Sequence, residues 1–338
     1  MRKIKIDTYI KNVADEYKQL LGSHKTEVVT ALEGLIDKFN GNHIITRRGK
    51  VVDQVMVNEC RGYIDRLKND YKNDEFVLML PDSFDKTYLK YREILTIDIL
   101  GWNISIDGDR ALPIHKRITE AMGYQRYVRN EIFPKLMRKI GINSCVYCNA
   151  NYVVATDDGV GFFELDHWMP TSRYPFLCTS FYNLQPCCPH CNKRKGSDTK
   201  HKYFKLYEEK NDESLDVFKF QISKSSIVRY FSLQDLSALK IYFKAVDANS
   251  QKLRDDANAK FRIEDIYNEH IDFVEEMMWR AKFYNNTILA TMKWFYGKRM
   301  PSFDLSRFKL GTYADPDEVH KRPLTKMMQD VGRQLGII

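Results

Sequence analysis

The sequence predicts an α+β fold: a mostly helical protein with a small strand–loop–strand–helix module near its middle, clamped by a four-cysteine metal site. Three observations predict it. Apolar residues recur at helical spacing along both flanks. Two Cys-x2-Cys pairs, Cys145/Cys148 and Cys188/Cys191, stand 39 residues apart. Between them an aromatic and aliphatic run, Gly161-Phe162-Phe163-Glu164-Leu165, ends abruptly in the polar pair Asp166-His167. The division that follows is 1–140, helical; 141–205, the metal-clamped module; and 206–338, helical again.

Composition bounds the class. With 338 residues, 43% of them hydrophobic and 13% aromatic, the chain has ample material for a packed core, which excludes a disordered protein. No run of about 18 apolar residues occurs, so no membrane span is expected. Met1-Arg2-Lys3-Ile4-Lys5-Ile6-Asp7 is basic but has no apolar segment behind it, and a cytoplasmic location follows as an expectation. Seven cysteines, four of them in the two pairs, suit a metal site in a reducing compartment better than a disulfide framework. The formal charge of +8 is compatible with a polyanionic partner without specifying one.

In the first region, Ile10, Val13, Ala14, Tyr17 and Leu20-Leu21 share one helix face, and Val28, Leu32, Leu35-Ile36 and Phe39 share another. Gly22-Ser23 and Gly41-Asn42 punctuate them. His43–Thr46 and Val51-Val52 read as a two-stranded piece turning at Arg48-Gly49-Lys50, and Val57–Tyr71 as a helix. Two more helices are expected near Leu112–Met122 and Arg126–Ile140. The stretch from Arg110 to Lys139 holds eight Lys or Arg against Glu120 and Glu131, as either a solvated face or a surface for a nucleic-acid backbone. Lys200-His201-Lys202 continues the basic character. Downstream, Ile263 to Ala281 reads as one long apolar helix face, Ile288 to Phe295 as a second helix, and Leu324–Leu335 as the last. These Met and aromatic stripes are core material.

The cysteine pairs have a definite chemistry. Zinc takes four thiolate or imidazole ligands in a tetrahedron, and each Cys-x2-Cys turn presents two sulfurs together. Cys145, Cys148, Cys188 and Cys191 therefore form a structural zinc site. Cys187 could replace Cys188, although the x2 spacing favours Cys188; Cys187 and Cys178 then become packing residues, and Cys60 stands alone. The separation exceeds the ~15–20 residues of a simple zinc ribbon, so an insertion lies between the knuckles. It holds Gly161–His167 as one strand, Leu184-Gln185-Pro186 as a second, and is followed by a helix from about Cys191 to Lys195.

The order Cys-x2-Cys, Asp166-His167, Asn183, Cys-x2-Cys-Asn192 resembles the HNH endonucleases, the zinc-clamped ββα-metal nucleases. The match covers about Cys145 to Gly196, with Asn192 where the family's literal name has a second His. The resemblance implies His167 as general base activating water, Asp166 and Asn192 as ligands of a catalytic Mg²⁺ or Mn²⁺, and Asn183 tying down the histidine loop. A neutral imidazole suits proton abstraction near neutral pH, and an all-oxygen ligand set favours a hard cation. Lys193, Arg194 and Lys195 are candidate phosphate contacts, and Glu164 is a weaker metal-site candidate on the Asp166 face. His190 is read as a solvated knuckle residue, and Trp168 and Tyr174-Pro175 as loop packing.

Asp166-His167-Trp168-Met169-Pro170 with Tyr174-Pro175 and Asn192-x2-Lys195 is further similar to HNH proteins of the bacterial anti-phage Septu type. HNH sites act on DNA, so double-stranded DNA is the expected substrate, and the Septu likeness implies helical arms that dock an ATPase partner or a DNA duplex. Two other readings stay open: a stand-alone restriction-type nuclease, and a non-catalytic zinc-stabilised nucleic-acid-binding or adaptor module.

Overall fold

Asp7 starts the first helix, Thr8–Gly22, by accepting the Ile10 N–H on its carboxylate at 2.8 Å. Its inward face is Ile10, Val13, Ala14, Tyr17 and Leu21, the stripe read from the sequence. The computed structural model describes residues 1–40, 43–198, 203–210, 214–284, 286–299 and 304–338. The expected break at Gly41-Asn42 and the basic Lys200-His201-Lys202 lie outside these residues. Lys25–Lys38 buries Val28, Leu32 and Leu35 and packs against Gln54–Lys72, which Asp53 caps, and against Ile114–Ala121.

Two local expectations are corrected. Ile44–Thr46 does turn at 47–50, but its antiparallel partner is Asn103–Ile106, and Val51 contributes only one bridge to Ile45. The strand takes the longer-range partner because Ile104 and Ile106 bury there, whereas Val51 stays exposed. Helical structure from 126 to 140 is divided into a π-helical stretch, Tyr124–Ile132, and an α-helix, Phe133–Ile140. Pro134 has no N–H to give the turn before it, and the Phe133 N–H reaches back five residues to Val128 O. Gly123 opens this stretch at φ 68°, where a Cβ would lie 2.2 Å from the Tyr127 ring.

The C-terminal part adds an element that the sequence reading omits. Phe218–Ile222 and Ile241–Ala245 pair antiparallel, burying Phe218, Phe220 and Ile222 under the last helix, Thr325–Gln334. The single apolar face expected from 263 to 281 is two helices, Ile263–Asn268 and Ile271–Phe283. Asn268 ends the first by bonding both backbone groups of Ile241, which fixes the helix to the sheet. Ile4–Lys5 pairs in parallel with Tyr207–Glu208, so the start of the chain is stitched to the segment after the module. The protein is thus predominantly helical with five small sheets among its described residues, and one hydrophobic cluster runs from Met1 to Ile337. No described helix is long and apolar enough to cross a membrane.

Candidate metal clamp and active site

The first knuckle is a tight turn. The Asn149 N–H donates to Cys145 O at 2.7 Å, and Asn149 adopts φ 53°, a left-handed conformation that asparagine tolerates well. Its side chain bonds Ser144 Oγ and Val319 O and accepts the Lys326 N–H, so the turn is held by the C-terminal segment. The second knuckle leads into the helix Pro189–Lys195, with Cys188 at its N-cap and Pro189 in the first turn, where no donor is needed. Sulfurs of Cys145, Cys148, Cys188 and Cys191 lie within 4.8 Å of one another, all buried. The Ala150 N–H donates to Cys148 Sγ, and Asn151 Nδ2 donates to the sulfurs of Cys148 and Cys188, at 3.4 to 3.7 Å. Such donors favour thiolates and a bound cation. Cys187 is outside the cluster: as the last residue of the strand Leu184–Cys187 it pairs with Glu164, and its thiol is buried with a raised pKa. His190 is exposed and also outside it.

The strand expected over Gly161–His167 is two strands. Gly161–Phe162 pairs with Val154–Ala155, and Glu164–His167 pairs with Leu184–Cys187. Register sets Asp166 opposite Gln185 and His167 opposite Leu184. The loop between these strands is held at one point by Asn183, which is fully buried. Its Oδ1 accepts the Met169 N–H at 2.7 Å, and its Nδ2 donates to Met169 O and Leu177 O, each at 3.1 Å. Trp168 and Tyr174 pack this loop through bonds to Tyr203 O and Asp85.

His167 is 8% exposed, at the edge of a cavity of about 470 Å³ shared with Asp166, Asn192, Glu164, Tyr124 and Arg129. Its Nε2 lies 2.9 Å from Cys178 O. A carbonyl only accepts, so Nε2 carries the hydrogen and Nδ1 holds the lone pair. Nδ1 has no partner among the described residues and is not sealed from solvent, unlike Nδ1 of His320. Burial lowers the ring's pKa to about 4, which keeps it neutral at physiological pH. The Tyr124 ring packs 4.5 Å from the imidazole and its hydroxyl donates to Leu165 O.

Asp166 is the hub of a polar network. Its Oδ2 accepts Lys195 Nζ at 2.6 Å and also the Tyr147 hydroxyl, which in turn accepts Gln185 Nε2 at 2.8 Å. Lys195 also donates to His167 O and is only 2% exposed. The expectation that Lys195 contacts a substrate phosphate is therefore corrected: the last turn of its short helix points it inward, under the strand. Lys193 and Arg194 are exposed, and Arg194 bonds Lys260 O. Glu164 pairs with Arg129 at 3.0 Å. Asn192 is half-buried, with its side chain unbonded among the described residues. Sequence reasoning missed Tyr147, Gln185, Tyr124 and Arg129. Tyr147 had one signal, its place inside the first knuckle, and the others had none before the register was known.

This geometry, with two thiol knuckles around a strand-borne Asp-His and a helix-borne Asn, agrees with the family model of the HNH endonucleases, which matches residues 145–198. Residues 145–198 form an HNH endonuclease domain. The HNH domain spans both knuckles, Asp166-His167, Asn183, Asn192 and Lys195, and the flanks lie outside it. Among curated proteins, the chain is similar to the Septu protein PtuB of Bacillus thuringiensis, 36% identical over 55 residues. That alignment covers 16% of this chain and 20% of the relative, so the chain matches about a fifth of the relative's length. No solved structure matches.

Proposed function

We propose that the HNH domain hydrolyses phosphodiester bonds of DNA, with His167 as general base. The observation that carries this reading is the Nε2 to Cys178 O bond, which fixes the imidazole and leaves the Nδ1 lone pair toward the cavity shared with Asp166 and Asn192. Nδ1 takes the proton of the attacking water. Asn183 holds the loop whose Cys178 carbonyl orients the ring, so the base is positioned before substrate arrives.

The donor sets fit two different cations. Four clustered thiols with N–H donors around them suit structural Zn²⁺, which would be held by Cys145, Cys148, Cys188 and Cys191. Asp166 Oδ1 and the Asn192 amide oxygen are hard donors facing one cavity and would hold Mg²⁺ or Mn²⁺. When bound, that hard ion supplies charge stabilisation to the scissile phosphate and the departing oxygen. Lys195 and Tyr147 engage only Oδ2 of Asp166, leaving its other oxygen for this purpose. Lys193 and Arg194 are proposed contacts to backbone phosphates.

The likeness to a Septu protein supports a role in anti-phage defence, with the flanking helices docking an ATPase partner. Cleavage of plasmid DNA tests the chemical reading: it is expected with Mg²⁺, absent with EDTA and restored when Mg²⁺ is added back. Cleavage that persists in EDTA would overturn it. Co-elution with an ATPase encoded beside this chain tests the partner.

A further inference from the structure

Away from the HNH pocket, a cavity of about 790 Å³ lies between the turn at 47–50 and the segment 101–103. The turn is well made: the Thr46 N–H donates to Lys50 O and the Gly49 N–H to Thr46 O, both at 2.8 Å. It holds up Arg47, Arg48 and Lys50, all exposed. None of the three has a side-chain hydrogen bond, ion pair or ring contact among the described residues. The acid in the cavity wall, Asp53, accepts the Met56 N–H to cap its helix. The floor is apolar, with Trp102 39% exposed and Val51 58% exposed. Trp102 has both backbone groups bonded, N–H to Ile99 O and carbonyl to Ile114 N, while its indole has no hydrogen bond and no ring partner among the described residues.

Unpaired cations on the rim of an aromatic floor match a nucleotide strand, whose phosphates meet the cations while a base lies on the ring. The position fits as well. Trp102 O accepts the Ile114 N–H at 3.2 Å, and the next residue, His115, lines the HNH pocket and bonds Leu100 O at 2.9 Å. The two cavities therefore draw wall residues from neighbouring pieces of backbone. Resting on the reading of the HNH pocket as a phosphodiester-cleaving site, we propose that this groove holds an unpaired stretch of the substrate strand beside the cut, with a base stacked on Trp102 and phosphates on Arg47, Arg48 and Lys50.

Fluorescence anisotropy of a labelled 20-nucleotide single strand with the full chain, in EDTA, tests this. The Arg47→Ala/Arg48→Ala protein is expected to bind at least tenfold more weakly, with a salt slope shallower by about 1.4. Trp102→Ala is expected to bind about 5- to 150-fold more weakly, and Trp102→Phe close to wild type. Circular dichroism melts of each variant establish that it folds. Unchanged affinity in folded Ala variants overturns the groove, as does a wild type that binds no strand or that binds a mononucleotide as well as the 20-mer. The Mg²⁺ cleavage assay separates the two readings. Groove variants that lose binding beside an uncleaving wild type leave the groove standing without the nuclease; variants that bind and cut like wild type do the reverse.

Discussion

Lys195 Nζ lies 2.6 Å from Asp166 Oδ2 in a pair that is almost wholly buried, with the lysine side chain 2% and the aspartate side chain 11% exposed. This pair joins the last turn of the Pro189–Lys195 helix to the strand that bears His167. It neutralises one carboxylate oxygen inside the protein while the other faces the cavity. The domain's charge is therefore arranged before any ion or substrate enters.

Lys195→Met leaves the Asp166 charge buried and unpaired. The variant is expected to lose about 3 kcal/mol of stability in urea unfolding and to cut DNA at least about 100-fold more slowly. Adding Asp166→Asn removes the stranded charge, so the double variant is expected to regain stability without regaining cleavage. Recovery of cleavage in the double variant would show that Asp166 has no part in the chemistry.

Cys187 and its neighbour Cys188, which opens the second knuckle, are expected to differ sharply. Cys188→Ala loses one of four sulfurs, so the purified protein is expected to carry well under one zinc per chain by elemental analysis. Cys187→Ala keeps the set and is expected to retain a full equivalent, with only the packing loss of a small buried side chain, about 1 kcal/mol.

Asn183→Ala removes three hydrogen bonds and leaves the buried Met169 N–H and carbonyl without partners, while Leu177 O keeps the Ser180 N–H at 3.2 Å. A loss of about 2–4 kcal/mol is expected, with kcat falling and zinc content unchanged. Asn183→Asp keeps the acceptor for the Met169 N–H but sets an oxygen against two carbonyls, so it is expected to restore little.

His320 provides a pH test remote from the reaction. Burial first, then the nearby α-amino group and Arg2, push its pKa down to about 3. The unfolded chain takes up this proton below about 6.5 and the folded chain does not, so stability falls as pH drops from about 6.5 toward 3. His320→Gln, which keeps a donor for Arg2 O, removes that slope. Its stability relative to wild type is expected to improve by about 1.4 kcal/mol per pH unit below about pH 6, measured by urea unfolding.

How much of this was legible in the sequence depended on the range of the interaction. The four zinc-type cysteines are readable because a tetrahedron of sulfurs demands two short-spaced pairs, and Asp166-His167 because an apolar strand seldom ends in such a pair. Asn183's bonds to backbone follow from its place before the second strand. Lys195 was misread because a Lys-Arg-Lys run on a helix resembles a solvated face, and only the seven-residue length of that helix and its packing on the strand turn one cation inward. The partner of Ile44–Thr46 lies nearly 60 residues away, and the nearby turn residues carry no trace of it. The π-helical stretch needed the position of Pro134 and its neighbours together. Gln185 joins the Asp166 network through a register that no periodicity encodes.

The identity of the base is tested most directly by the rate of Mg²⁺-dependent nicking of supercoiled plasmid by His167→Ala, with zinc content and melting temperature measured on the same preparation. A folded, zinc-loaded variant that nicks at least about 1,000-fold more slowly than wild type is the expected result. A folded, zinc-loaded variant that nicks as fast as wild type would contradict a water-activating role for the imidazole that Cys178 O holds in place.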